Sequence, residues 1–600
     1  MRYFTINLTG FAVCCFLILL PTISLSNYVY STSTGKAILF FAFSLLLSLV
    51  LGFSYPQKKI NFSNIDIALI IWVTYLLLNR YIFHTFHSFS LRFLELGGLL
   101  ILYYIVRCLG SKWHTVLLFS VVISGLIQGL HGFLQLLGYF PSYHQYYKLT
   151  GAFFNPGPFG GFLAISFIIG LFLLNIKNIK MHIFNKVVGF GKINSVCNYF
   201  LTVILLFIAF MLCLNESRAS WVAICVGSLP LVEYRYRFFS TIIFKLRIRY
   251  LLLVLLLIIC ICIGIYFVRV DSADGRLFIW KVTFDIIKDN PFLGVGFDNF
   301  NSHYMNYQAD YFRNNKDAPA SMLASNTEYA FNSWLQLIAE NGIFGLLIIC
   351  NTLYFVFRRN TLLVHENFHL IILGGLVCIG TFSLFSYSMS ILPIKLIVVV
   401  LLAQRANIDS TSFAIAYNRL FFMVKLSMVL VLVIVASINL THLSNNLRIW
   451  KIGLNKYRYG GYKSANKSFE SIYTFFEDNG NFLRHFGSSL SRSAKLEEAM
   501  EVLEKAEKIK NNTVVQIELG NTYMGLKLFN KAELAYKNAS NMEPSLFAPD
   551  FHLVKLYHLT NQREKMNQTA KKLLDKKVKI NSLAVEKMKK EVLELIALDD

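Results

Sequence analysis

Residues Arg276–Gly345 read RLFIWKVTFDIIKDNPFLGVGFDNFNSHYMNYQADYF (276–312), then a polar segment, then NTEYAFNSWLQLIAENGIFG (326–345). This is the longest polar interruption in an otherwise hydrophobic run, and apolar helical segments lie on both sides of it. A long, ordered-looking loop inside a membrane domain is more often functional than a plain connector. The pattern predicts a chain built to hold this loop on one side of a bilayer.

Composition supports that class. Of 600 residues, 55% are hydrophobic and only 15% are charged, and apolar stretches of bilayer-spanning length recur over the first three quarters. The formal net charge of +23 fits basic cytoplasmic loops rather than nucleic-acid binding, because no basic, aromatic-interleaved module is present. All 10 cysteines precede residue 380, mostly inside apolar segments, and none has CxxC spacing. Neither a zinc site nor a disulfide framework is indicated.

Met1 to Ser26 has the charge and apolar core of a secretory signal, but no cleavage site follows, so it reads as a retained signal anchor. Spans are predicted near 9–25, 36–52, 65–79, 92–107, 114–137, 159–176, 200–214, 219–232 and 250–268, then 333–356, 368–386, 390–404 and 421–438. The expected fold is all-α: a polytopic domain of about 12–13 helices over residues 1–440. One set of alternate loops is rich in Lys and Arg (Lys58 and Lys59, Arg107 and Lys112, Arg235 and Arg237, Arg358 and Arg359), and the other is nearly bare. Positive charge stays inside, which places the N-terminus in the cytoplasm and the 269–332 loop outside, together with everything after the last span.

From about Trp450 the composition turns soluble, charged and helical. Gly520, Tyr523, Ala532, Tyr536, Ala539 and Pro544 stand at the spacing of a 34-residue tetratricopeptide repeat, and Ala465 and Phe469 recur as Ala499 and Leu503. About four such repeats are expected over 446–580, with a helical tail over 581–600. Such units must stack to bury their apolar faces, and the array is expected to offer a surface for a protein partner or the acceptor.

Charges near membrane depth need a reason. Arg218 in NESRASW and Arg276 in GRLFIW fall on the same outer side. Each alone fits an interfacial anchor or surface charge. Together they suit a pyrophosphate, because the guanidinium fork matches phosphate oxygens. GAFFNPGPFGG (151–161) is a Gly/Pro turn, read either as turn chemistry or as a backbone that approaches a substrate. DNPFLGVGFDNF lacks the strand–helix context and third glycine of a nucleotide fingerprint. HENFH (365–369) matches the H-E-x-x-H zinc signature, but it lies in a basic cytoplasmic loop with no third ligand in sight. A solvated helix start is the simpler reading, and no metal site is expected.

Taken in order, GAFFNPGPFGG, ESRASW, Gly275–Arg276 with Trp280, NPFLGVGFDNF, FNSWLQLIAENGIFG and SYSMSILPIK make the chain resemble the O-antigen ligase and O-antigen polymerase superfamily of bacterial membrane glycosyltransferases, over residues 10–405. The resemblance implies a multi-pass protein of the bacterial inner membrane. It would transfer a glycan from undecaprenyl pyrophosphate to an acceptor on the periplasmic face, without metal or other cofactor. The acceptor is lipid A–core in ligases, a growing chain in polymerases, and a protein hydroxyl in the O-oligosaccharyltransferases. It places Arg218 and Arg276 on the two family arginines taken to hold the donor, and Asn155 and Asn332 join them as donor-binding candidates. Ligases typically carry a histidine directly before the asparagine, as the base for the acceptor. Here that position is Phe331, which cannot take a proton, so His303, Glu328 and Tyr329 become the nearby candidates, with His303 and Glu328 preferred. A membrane scaffold without catalysis, recruiting partners through its repeats, is the reading from a different class.

The topology is testable. Reporter fusions at Asn314 and at Ser545 are expected to report the same, periplasmic side. Opposite signals would mean that the span count is wrong by one.

Overall fold

In the computed structural model, the described residues are 2–599 apart from 31, 54–58, 85–89, 177–192, 238–263, 265–266, 268–269, 316–318, 359–365, 410 and 417–418. The chain begins with α1 (Arg2–Leu19), α2 (Thr34–Gly52), strand β1 (Lys59–Ser63) and α3 (Asn64–Leu78). Next come α4 (Leu91–Cys108), α5 (Lys112–Leu136), α6 (Pro156–Asn175), α7 (Ile193–Leu214) and α8 (Arg218–Tyr236). The outer-loop region forms α9 (Val270–Asp289) and α10 (Phe300–Asn314). Helices α11 (Ser333–Phe357), α12 (Glu366–Leu384) and α13 (Leu392–Ile408), then β2 (Thr411–Ala416), return the chain through the bundle.

Twelve of the thirteen expected spans fall on helices; the segment 250–268 lies almost wholly outside the described residues. Among the described residues, seven helices are long and apolar enough by themselves to cross a bilayer: 34–52, 64–83, 112–136, 156–175, 197–214, 333–357 and 420–458. The other expected spans among the described residues are shorter or more polar, for local reasons. The apolar parts of α1 and α12, Phe4–Leu19 and Phe368–Leu384, are short. Helix α4 carries Arg92, Glu95 and Arg107, and α13 carries Lys395 and Arg405. Those charges are spent inside the protein. Lys395 pairs with Glu95, both buried. Arg405 donates to the carbonyls of Val356 (2.9 Å) and Arg358 (2.8 Å) and so closes the C-terminal end of α11.

The fold is not purely helical. Strands β1 and β2 pair antiparallel, with Ile60 opposite Ile415 and Phe62 opposite Phe413. The two phenyl rings stack with centroids 4.7 Å apart. Alternation of apolar side chains over these short segments suits a ribbon more than a helix.

The last span does not end in a connector. Helix α14 runs unbroken over Arg419–Arg458, 40 residues, or about 60 Å. Its first half presents Leu420, Met428, Val431 and Ile438 outward. Its second half buries Leu443, Leu447, Trp450 and Leu454 in the core of the C-terminal region. That region is a series of short paired helices: α15 (Tyr462–Glu470), α16 (Gly480–Arg492) with α17 (Leu496–Ile509), α18 (Thr513–Gly525) with α19 (Phe529–Met542), α20 (Phe547–Leu559) with α21 (Arg563–Asp575), and α22 (Leu583–Asp599). Small residues set the spacing. Ala465, Ala499 and Ala532 are fully buried, and a Cβ on Gly520 would meet the Tyr536 ring at 2.3 Å. Tyr28 and Val29, between α1 and α2, join this core, and the Tyr28 hydroxyl meets Ser444 Oγ at 2.7 Å.

His552 on α20 stacks on Tyr536 with centroids 5.2 Å apart, and its Nδ1 is buried with no hydrogen-bond partner among the described residues. Burial first, then the charges of Lys555 and Arg492, push its pKa from 6.5 down to about 4. The folded protein therefore refuses a proton that the unfolded chain accepts below pH 6.5. Stability is intact above that value and is lost as pH falls toward about 4. His552→Gln is expected to remove about 2 kcal/mol of acid destabilisation at about pH 5, read as a smaller drop in melting temperature between about pH 7.5 and pH 5.

Candidate functional site

The beginnings of α6 and α8 are stitched together. Asn155 caps α6 by accepting from Gly157 N (3.0 Å), and Asn215, just before α8, donates to Pro156 O (3.2 Å). A Cβ on Gly160 would meet Asn215 Nδ2 at 2.0 Å, so glycine is required for this approach. Arg218 is the first residue of α8. The preceding turn is pinned from below by the buried Lys36, which donates to Pro21 O (2.9 Å) and Ala152 O (3.3 Å).

Aromatic rings carry this patch across to α9 and α11. Phe154 stacks on Tyr387 (6.1 Å), Tyr387 stacks on Tyr329 (4.4 Å, 10° between planes), and Phe331 meets Tyr387 edge-on (5.1 Å). The Arg276 guanidinium lies 6.0 Å from the Phe331 centroid, a cation–π arrangement. Phe331 holds φ +51°, a left-handed conformation that a bulky residue rarely adopts. It is fixed on one side by Ala330 N donating to Gln336 (3.4 Å) and on the other by Asn332, which caps α11 by accepting from Trp334 N (3.0 Å) and Leu335 N (3.1 Å).

Arg218 lies within electrostatic reach of Arg276. Burial, and then the like charge of Arg218, push the Arg276 pKa down, with Tyr387 and Tyr147 also within electrostatic reach. Burial pushes the Tyr387 and Tyr329 phenols up, so both stay neutral and able to donate. The helix starts of α6, α8 and α11 add partial positive charge. The whole suits a compact polyanion.

The other candidates stand differently. Asn155 and Asn332 are at the site, but each side-chain oxygen is occupied as a helix cap. Glu328 adjoins Tyr329, is half-exposed and pairs with Lys510 (3.3 Å). His303 is half-buried against Asn299 O (3.1 Å), with its pKa pushed down by burial. Phe278 packs on Tyr311 and Phe312 at 5.3 Å, which sets the register of the α9–α10 hairpin. His303, eight residues before Tyr311, then lies about 12 Å farther along α10. His365 of the HENFH motif lies outside the described residues. Sequence reading missed Tyr387, whose partners come from distant segments, and Glu216, the exposed carboxylate two residues before Arg218.

NPFLGVG, dismissed above as a nucleotide motif, has a structural task. Helix α11 is broken at Gly342 (φ +61°), and residues 291–296 lie in the break. Val295 N and Gly296 N donate to Ala339 O and Glu340 O (both 2.9 Å), and Ile343 N donates to Pro291 O (2.9 Å). Behind the break, Arg92 pairs with Glu340 (2.7 Å) and Asp298 (3.3 Å). Beside it is a largely apolar cavity of about 570 Å³, with Trp72, Leu96, Trp334 and Leu337 on its walls and Glu340 and Lys395 at its polar end.

Residues 203–350 match the family model described as O-Antigen ligase. The matched stretch holds Arg218, Arg276, His303, Glu328 and Asn332, whereas Asn155 precedes it. No curated protein matches the chain. This multi-span helical membrane protein thus carries a domain of a family of membrane glycosyltransferases that act on lipid-linked glycans.

A Cβ on Gly342 would meet Phe292 O at 2.1 Å, whereas one on Gly110 meets nothing within 4 Å. Gly342→Ala is expected to cost on the order of 3 kcal/mol or more and Gly110→Ala almost nothing, measured by yield and thermal melting in detergent.

Proposed function

We propose that the protein transfers an undecaprenyl-pyrophosphate-linked glycan to an acceptor hydroxyl at the periplasmic face of the inner membrane, as an O-antigen ligase-like enzyme. The observation that carries this reading is that Arg276, half-buried against Phe331, lies within electrostatic reach of Arg218 at the start of α8. Two guanidinium groups in one neighbourhood suit a diphosphate, whose oxygens the guanidinium fork can grip. The apolar cavity beside α11 offers room for part of a prenyl chain. In the reaction the acceptor oxygen bonds to the anomeric carbon, the bond from that carbon to the pyrophosphate breaks, and the departing charge is met by both arginines.

The acceptor proton is assigned to Glu328, which adjoins the aromatic stack over the arginine pair, in preference to the more distant His303. Tyr329 and Tyr387 would line the path of the sugar. Phe331 in place of the ligase histidine favours an acceptor other than lipid A–core, either a growing polysaccharide end or a protein hydroxyl. The C-terminal helix pairs are read as tetratricopeptide repeats. A scaffold without catalysis would have no use for two arginines brought together at this position.

Arg218→Ala and Arg276→Ala are each expected to lower donor turnover on the order of 10²–10³-fold with the protein still inserted. Lysine should restore little, since a point charge lacks the fork. Glu328→Gln is expected to cost about 10²-fold and His303→Ala only a few-fold. Near wild-type turnover in either arginine variant would remove that residue from the mechanism. Deleting the protein and inspecting lipopolysaccharide, free lipid-linked glycan and glycoproteins separates the acceptors. Full-length donor accumulates if attachment is lost, short donor if polymerisation is lost, and unmodified protein appears if the acceptor is a protein.

A further inference from the structure

Residues 323–332, which carry Tyr329 and Phe331 to the arginine pair, form no helix or strand. Such a strap is fixed only by what touches it. Three contacts come from equivalent places in three successive helix pairs of the C-terminal array. Lys510, directly after α17, reaches Glu328 (3.3 Å), and its side chain is only 11% exposed. Met542, the last residue of α19, is buried with Phe312, Ala324 and Ala330. Its carbonyl accepts from Gln308 Nε2 (2.5 Å), which also reaches Ser325 O (3.3 Å). Lys579, four residues beyond α21, donates to Ala324 O (3.2 Å). Asn511 to Asn306 (2.8 Å) extends the same seam onto α10.

The edge formed by the ends of the second helices therefore runs along the strap. A surface used only to recruit a partner would have no need to grip this segment at three successive repeats. We propose that the array is a positioning element of the active site: its Lys510–Met542–Lys579 edge holds the strap so that Tyr329 and Phe331 stay against Tyr387 and Arg276. This rests on the transfer reading given above. It reverses the expectation that the repeats only recruit. Lys579 is a positioning residue, since it meets only the Ala324 carbonyl; Lys510 also pairs with Glu328, so Lys579→Ala alone separates the hold on the strap from an effect on that carboxylate. Whatever binds or strains the array acts on turnover through the strap.

The test uses the full chain in detergent with Lys510→Ala, Lys579→Ala and the double variant. Amide hydrogen exchange over 323–331 is expected to rise about 10-fold or more in the double variant, with α11 unchanged. Donor turnover with a small soluble alcohol as acceptor should show kcat lowered about 10-fold and KM for the donor within about 2-fold. Lys510→Arg with Lys579→Arg should preserve both readouts. Unchanged strap exchange in the double variant would overturn the proposal, and so would unchanged kcat with a loosened strap. Exchange is read without substrate, so a wild-type protein that never consumes donor would sink the transfer reading and leave the strap measurement standing.

Discussion

A helix in a bilayer has no water with which to satisfy its backbone, so a break in one must be answered by protein. In α11 the break at Gly342 is answered by the backbone of residues 291–296. Most of the region between α8 and α11 hangs on that substitution. Asn79 reaches both Leu293 O (2.7 Å) and Phe297 N (2.8 Å), Arg80 reaches Phe297 O (2.9 Å), and Arg92 ties Glu340 of α11 to Asp298. The inserted segment thus fixes where α9 ends and α10 begins, and with them Arg276 on one side and the seam to the array on the other.

Burying several charges in such a region is costly unless each is paired or hydrogen-bonded. Glu95 with Lys395, and Arg92 with Glu340 and Asp298, meet that condition. Arg276 sits differently: it is half-buried, within electrostatic reach of the like charge of Arg218 and against rings that supply quadrupoles and neutral hydroxyls. Asn155 and Asn332 orient helix starts through their side-chain oxygens.

Apolar run length made nearly every helix of the bundle legible, because burial in lipid and burial in protein both select the same residues. It could not separate the two. In α4 and α13 the pairing of Glu95 with Lys395 shows polar residues spent inside the protein, which run length alone does not reveal. The change of composition near Trp450 suggested a boundary, but one helix crosses it, since helical propensity is indifferent to whether a face meets lipid or a protein core. Arg218 and Arg276 were legible because charge is rare in such surroundings. Asn155 and Asn332 were visible as polar residues before helices, where capping is the commoner task. Tyr387, the strap contacts and the displacement of His303 depend on packing between segments far apart in sequence, and no local pattern encodes them.

Helix α14 adds a mechanical consequence. It is continuous from its lipid-facing residues to Trp450 and Leu454 in the array core, with no proline or glycine hinge before Gly453. Such a rod behaves as a lever whose short arm lies in the bilayer. A tilt change of about 10°, of the kind that a thicker or thinner membrane imposes, would carry its far end sideways by about 10 Å if nothing opposed it. Among the contacts that oppose it is the grip of the array on Glu328 and Ala324. A change in the thickness of the surrounding lipid would then load bonds that hold the strap under Arg276.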